Sequence, residues 1–314
     1  MTTGPSGKRS NRRPRISARN AIRLALVLCA VGLGVLAVVR DLEGFLESVR
    51  RIGLDSALVA FALVLVGLLV SGEAWRSNVR SVVGSLDRPA ARRVFFVSQL
   101  GKYLPGALWP AVAQIDSARR AGLSGSRMGV AFLLFLALHL LTGLVVAVGL
   151  MPWAAPELLR AYPWAPGLLV LIAVALIPPV LTRLIDRALR IIRRPTLTAR
   201  LGLRDVAEPL AQLLVTWAFY GLATMALTAP IVGSIDLRLV ALSTGGFALA
   251  WVVGVVIVFA PAGVGAREIV LLLALSPLLG TIEATSVVIV LRVVHTGADL
   301  LLAAVGGMGG RGSR

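Results

Sequence analysis

The chain has 314 residues, 57% hydrophobic and 15% charged, with a formal net charge of +17 and a mean hydropathy of +0.87. An ordinary soluble domain carries about 25% charged residues, so this composition excludes a soluble enzyme and indicates a helical membrane bundle. The basic residues stand in short clusters between long apolar stretches, which excludes a nucleic-acid-binding face and favours contact with anionic lipid headgroups. One cysteine, Cys29, rules out a disulfide framework, and two histidines with it are too few for a structural zinc site.

A crossing helix needs about 20 mostly apolar residues. Windows of that size fall at roughly 21–39, 56–75, 128–150, 165–182, 206–229, 239–260 and 284–305. The first follows Lys8, Arg9, Arg12, Arg13, Arg15, Arg19 and Arg23 and runs into Val38, Val39, Arg40 and Asp41 without a small-residue cleavage site. It reads as a retained span behind a disordered cytoplasmic tail, residues 1–20, rather than as a signal peptide. A single membrane domain over 21–306 and a short tail over 307–314 complete the expected organisation.

Loop charge sets the orientation, because Lys and Arg collect on the cytoplasmic side. The N-terminal stretch through Arg23 and segments 76–93, 116–127 and 183–204 hold 22 basic residues, while loops 40–55, 152–163 and 231–238 hold five. The N-terminus is therefore expected in the cytoplasm and the protein in the plasma membrane. Trp153, Tyr162 and Trp164 fit an outer aromatic belt.

Two apolar stretches, roughly 94–113 and 261–279, are broken by glycine and proline. The first contains Gly101, Lys102, Tyr103, Leu104, Pro105, Gly106 and Pro110. It lies between two basic segments that both favour the cytoplasm, so it is expected to enter and return as a re-entrant hairpin. The alternative is an interfacial amphipathic helix, but the stretch lacks the strongly charged face of one. Proline breaks helix, glycine permits the turn, and irregular backbone at membrane depth survives only inside protein or beside a wet cavity. Exposed N–H groups and Lys102 would there attract an anion. The plainer reading is a tight turn with Lys102 reaching to the interface.

The second broken stretch contains Pro261, Gly263, Gly265, Arg267 and Glu268, so that Arg267 and Glu268 open a new helix. Charges at membrane depth mark functional sites by default, and two broken segments in comparable positions point to a binding site. In the last span Arg292, His295 and Asp299 share one helical face and should look into the bundle, with Arg292 and Asp299 partly neutralising each other. Glu73 and Arg76 form a similar i, i+3 pair. His139 reads as a packing or hydrogen-bonding residue. The alternative for the last-span residues is a structural polar seam.

The run Gly101–Gly106 with Trp109 and Arg120–Ser124, the run Pro261–Glu268, and Leu291–Arg292 with Asp299–Leu301 resemble three motifs of the lysylphosphatidylglycerol synthase transmembrane-region family. The resemblance covers roughly 20–306 and implies a flippase-like bundle without the aminoacyl-transferase domain of the bifunctional members. It departs from the family pattern at Ala107, Trp109 and Pro110, where many members carry Gly-Glu and an arginine. It departs again near Leu138 and His139, where a Glu-Arg pair is common.

The expected architecture is an all-α polytopic transmembrane bundle of about 7–8 spans with one or two re-entrant or broken helices. Its expected activity is translocation of an anionic lipid, either a phospholipid or a polyprenyl-phosphate-linked intermediate. Lys102, Tyr103, Pro105, Gly106, Gly263, Gly265, Arg267, Glu268, Arg292 and Asp299 would bind the substrate. No nucleotide-binding, hydrolase or metal motif is present, so neither catalysis nor a cofactor is expected. The alternative is a membrane glycosyltransferase, or its accessory subunit, with Glu268 or Asp299 as base. A scaffold without any site is the third reading.

Overall fold

The computed structural model describes residues 39–103, 109–156, 160–191, 200–257 and 265–308, together with Gly32 and Thr196. Most of the expected first span, the N-terminal tail, residues 309–314 of the C-terminal one, Pro105, Gly106 and Gly263 lie outside the described residues. Within them there are ten helices and no strand. In chain order these are α1 (Leu42–Val82), α2 (Arg88–Gln99), a 3-10 turn (Leu100–Tyr103), α3 (Trp109–Arg120), α4 (Gly125–Ala154), α5 (Ala165–Leu176), α6 (Pro178–Ile191), α7 (Leu203–Val232), α8 (Leu237–Val256), α9 (Ala266–Leu279) and α10 (Thr281–Met308).

Five of them, α1, α4, α7, α8 and α10, are long and apolar enough to cross a membrane. Their boundaries have local causes. Asp41 caps α1 by accepting from the Gly44 N–H, Ser124 caps α4 through the Arg127 N–H, and Asp236 caps α8 through the Leu239 N–H. Gly233, at φ 78°, ends α7 in the left-handed conformation that glycine adopts without strain. Gly53 at φ 71° kinks α1, setting a first arm apart from the membrane-length part.

Ion pairs and close contacts define two ends of the bundle. Arg80 of α1 and Arg204 of α7 both bind Glu208, so the end of α1 lies beside the start of α7. Asn78 donates to the Ala131 carbonyl, which brings the start of α4 to the same place. Arg51 reaches the Ile231 carbonyl at the opposite end. Segment 83–124 therefore leaves from, and returns to, the arginine-rich end.

Its two helices form a hairpin. A Cβ on Gly101 would stand 2.9 Å from the backbone of Trp109 and Pro110, so the two arms meet at their tips. Along the hairpin, Trp75 of α1 donates to Gln114 of α3 at 3.0 Å, and Gln114 donates to Ser98 of α2 at 3.1 Å. With 12 residues each, α2 and α3 are about 18 Å long, less than the ~30 Å of a hydrocarbon core. The described residues on either side of the break thus form a short helical hairpin, the shape the re-entrant expectation requires.

One expected span is corrected. Over 165–182 the sequence reads as a straight crossing, but helix stops at Leu176 and resumes at Pro178 after an 86° bend. Pro178 and Pro179 remove two backbone donors at the joint and force Ile177 extended. Counted as one span, the bent pair brings the segments long and apolar enough to cross, among the described residues, to six. The second half, α6, is amphipathic, with Arg183, Arg187 and Arg190 opposite Leu181 and Leu189.

The second broken segment differs from the first. α8 starts at the end opposite the arginines and has full length, whereas α9 is only about 21 Å long at 14 residues. Gly280, at φ 91°, turns α9 directly into α10. α10 then runs back until Gly306 lies against the backbone of Arg92 and Arg93. The described part of the chain thus ends on the arginine-rich side, as Arg311 and Arg314 suggest. The core joins these layers through Trp75, Phe95, Met128, Leu213, Trp217, Leu227, Phe247 and Leu275, all buried.

Candidate functional site

α10 is the strip on which both broken segments dock. Four of its residues, Arg292, His295, Thr296 and Asp299, fall on one face within two turns. The tip of the hairpin seats on the last two. Lys102 Nζ lies 2.6 Å from Asp299 Oδ2, and the Tyr103 hydroxyl donates to the same oxygen at 2.7 Å. A longer contact of 3.4 Å joins the Tyr103 hydroxyl to Thr296 Oγ1. The Asp299 side chain is 2% exposed against 32% for Lys102, so the carboxylate is the buried anchor and the ammonium its partly open side.

The start of α9 seats on the same face, further along. Glu268 Oε2 accepts the Gly265 N–H at 2.7 Å and closes the first turn of the helix. Its other oxygen, Oε1, lies 3.4 Å from Arg292 Nε. Gly265 has φ 92°, a backbone conformation that a side chain would strain. The adjacent Arg267 does not bind Glu268. Its guanidinium lies 4.6 Å from the centroid of the Phe247 ring on α8, a cation–π contact.

One expected pairing is therefore corrected. Arg292 and Asp299 do not neutralise each other, because each is taken by a different broken segment. Arg267 and Glu268 are neighbours in sequence but point to different helices. The second follows from helix geometry, since adjacent residues diverge by about 100° around the axis. The pair that sequence spacing does predict, Glu73 with Arg76, is present at 2.8 Å, and Arg92 and Arg88 join the same carboxylate at 3.4 and 3.9 Å.

The structure thus gathers Lys102, Tyr103, Gly265, Arg267, Glu268, Arg292 and Asp299 around one face of α10. It adds Thr296, Phe247 and Tyr220 of α7, whose ring lies 5.5 Å from Phe247 and 5.1 Å from His295, which the sequence reading passed over. Thr296 was visible in principle, four residues after Arg292. Phe247 sits in a wholly apolar run, where nothing in the sequence distinguishes it. A small pocket opens between α9 and α10, lined by Arg267, Glu268, Leu271, Val288, Leu291 and Arg292. Three cations, Lys102, Arg267 and Arg292, meet two carboxylates, Glu268 and Asp299, so the cluster carries one positive charge beyond neutrality. Among the described residues no group of three or more His, Cys, Asp or Glu is placed to hold a metal.

Membrane-length helices, a short helical hairpin, and a half-length helix docked with it on one charged strip define a polytopic membrane protein with an internal ionic site. Within that class, a family model described as the lysylphosphatidylglycerol synthase TM region matches residues 20–303, and the chain belongs to this family. The match takes in every element of the site. A search of curated proteins finds no match.

Proposed function

We propose that this protein moves an anionic lipid, a phospholipid or a polyprenyl-phosphate-linked intermediate, between the leaflets of the plasma membrane. The observation that carries the reading is the cation excess on the middle of a membrane-length helix, held by two broken segments. Charges there are expensive and persist where they face a substrate path. An anionic headgroup entering the cluster would exchange places with a carboxylate. Lys102 would trade Asp299 for a phosphate oxygen, and Arg292 would trade Glu268, so no cation is left bare at either stage. Arg267, held by a ring face rather than a carboxylate, is the cation most available to a first phosphate contact.

In this reading the arginine-rich end faces the cytoplasm and so does the N-terminus, following the loop-charge rule. The protein acts without catalysis. Both candidate bases, Glu268 and Asp299, already bind cations, which supports transport over the glycosyltransferase alternative.

The test is a reconstituted system in which vesicles carry a trace of fluorescent phosphatidylglycerol and an impermeant quencher reports the outer-leaflet fraction. Lys102→Ala and Arg267→Ala should each slow transfer about tenfold, the loss expected for removing one charge-assisted contact of about 1.4 kcal/mol. A zwitterionic phosphatidylcholine probe should move slowly in all variants. Wild-type transfer rates in both variants would remove this assignment, and turnover of a polyprenyl-phosphate sugar by the purified protein would replace it with the enzyme.

A further inference from the structure

The bent pair α5–α6 contributes no residue to the ionic strip. α5 is apolar along its length and packs against α4. α6 leaves it at 86°, so that when α5 runs across a bilayer, α6 lies close to the membrane plane.

Around its axis α6 has three sectors. Arg190, Arg183 and Arg187 fall within about 60° of one another and are all exposed. Ile191, Leu184 and Ala188 fill the next ~60° and are exposed as well, Ile191 at 76% and Leu184 at 49%. Leu181, Ile185 and Leu189 take the third sector, where Leu181 and Leu189 are buried and Ile185 packs on the core. The outer surface of α6 thus carries charged and apolar side chains side by side. An open groove lined by Arg187, Arg190 and Ile191 follows the line where the two sectors meet. Arg190 Nε donates to the Asp186 carbonyl one turn back, which holds that side chain along the helix.

Water over this face would leave Leu184 and Ile191 wetted, and hydrocarbon would strip three guanidinium groups of their hydration. A second copy would set one row of arginines against another, a like-charge contact that opposes association. The membrane–water boundary suits both sectors at once, because the apolar groups enter the acyl layer while the arginines lie among phosphates. The boundary is the one at the arginine-rich end, since α6 leads toward α7, whose start is held there by Glu208. At 12 residues α5 is about 18 Å long, less than a ~30 Å hydrocarbon core. Long arginine stems and local thinning of the bilayer accommodate such a shortfall.

We infer that α6 is a membrane-surface helix whose exposed face docks on the anionic headgroup layer at the arginine-rich end of the bundle. In the orientation given above, that layer is the cytoplasmic leaflet. The partner is the lipid surface as a whole, recognised by its negative charge, and not a molecule bound at the ionic strip.

The test measures depth. With Cys29 replaced by serine, a nitroxide is attached to Leu184→Cys, Ala188→Cys or, as a control between α1 and α2, Ser85→Cys. The full chain is placed in vesicles of phosphatidylcholine alone or mixed with phosphatidylserine. Accessibility to oxygen, which concentrates among acyl chains, is compared with accessibility to a neutral nickel chelate, which stays in water. Adding phosphatidylserine should raise the oxygen-to-nickel ratio severalfold at Leu184→Cys and Ala188→Cys and leave Ser85→Cys unchanged. Arg183→Gln, Arg187→Gln and Arg190→Gln together should abolish the rise. High salt should abolish it with the arginines intact, which gives the same reading if the triple variant folds poorly.

A low ratio in both kinds of vesicle would show a solvated helix and overturn the inference. A high ratio that ignores lipid charge would overturn it too, because the face would then be buried in hydrocarbon or protein. A ratio that follows the protein-to-lipid ratio instead of lipid charge would assign the face to a second copy, with the same result. None of these outcomes touches the ionic strip, whose own test is lipid transfer.

Discussion

At the scale of single residues, Asp299 is the hinge of the site. Its carboxylate is almost wholly enclosed and is shared by an ammonium at 2.6 Å and a phenol at 2.7 Å. Removing one partner of a buried pair leaves the other charge uncompensated, which costs about 3–5 kcal/mol in soluble proteins. Asp299→Ala should therefore lower the melting temperature of the detergent-solubilised protein substantially. Tyr103→Phe, which removes one hydrogen bond and keeps the ion pair, should cost about 1 kcal/mol and shift melting far less. Equal losses in the two variants would mean that the Lys102–Asp299 pair does not anchor the hairpin. Sequence reading found Lys102 and Asp299 as unusual charges in apolar surroundings, and that signal is sound because such charges are rare. It paired Asp299 with Arg292 instead, because helical spacing sees neighbours on one helix and is blind to a segment nearly 200 residues away.

At the scale of elements, the hairpin is fixed at both ends. Its base is held by Glu73, to which Arg88 and Arg92 reach from α2, and its tip by Asp299. The base contacts are the weaker, since Arg88 and Arg92 are 69% and 51% exposed and surface pairs contribute about 0–1 kcal/mol. The tip depends on Gly101, where a Cβ would fall 2.9 Å from backbone that has no flexible side chain to yield. Gly101→Ala should spread α2 from α3, cost about 1–3 kcal/mol as overpacking does, and slow lipid transfer by displacing Lys102. Glu73→Gln should leave transfer close to wild type. If Gly101→Ala is silent in both melting and transfer, the tip is not closed as described. The hairpin was legible from the sequence through charge: two arginine clusters cannot both stay on one side if the stretch between them crosses. The bend at Ile177 was not, because mean hydropathy over 165–182 is the same for a straight helix and a folded one, and only Pro178–Pro179 marked it. The turn of π-helix at Leu242–Gly246 left no signal either. It lies where Gly221 of α7 approaches Thr244, a tertiary contact that a single sequence does not display.

At the scale of the whole molecule, the two readings of topology meet in one accessible experiment. Loop charge divides the basic residues 22 to five, and the packing divides the helix ends in the same way, with α1, α3 and α10 ending beside the starts of α2, α4 and α7. These lines are independent, because packing in the fold follows side-chain shape and the loop rule follows insertion. Replacing Cys29 by serine removes the one native thiol, after which single cysteines report sidedness to an impermeant reagent in oriented vesicles. Ser85, Ser126 and Met308 are exposed positions at the arginine-rich end, before the hairpin, after it and at the end of α10. Ser234, exposed between α7 and α8, belongs to the other end. Cysteines at the first three should react from the cytoplasmic face, and the one at Ser234 from outside. Ser85 and Ser126 are the informative pair. Opposite sidedness for them would make 88–120 a crossing and take Lys102 away from Asp299. A common side sustains the hairpin. Met308 on that same side means that the chain leaves α7 for the outer face, that α8 and α9 together bring it back to that face, and that α10 crosses once more. The half-length α9 then has a reason. It turns back toward the outer face while leaving Arg267 and Glu268 beside the middle of α10, where the proposed headgroup would have no water to hold its charge.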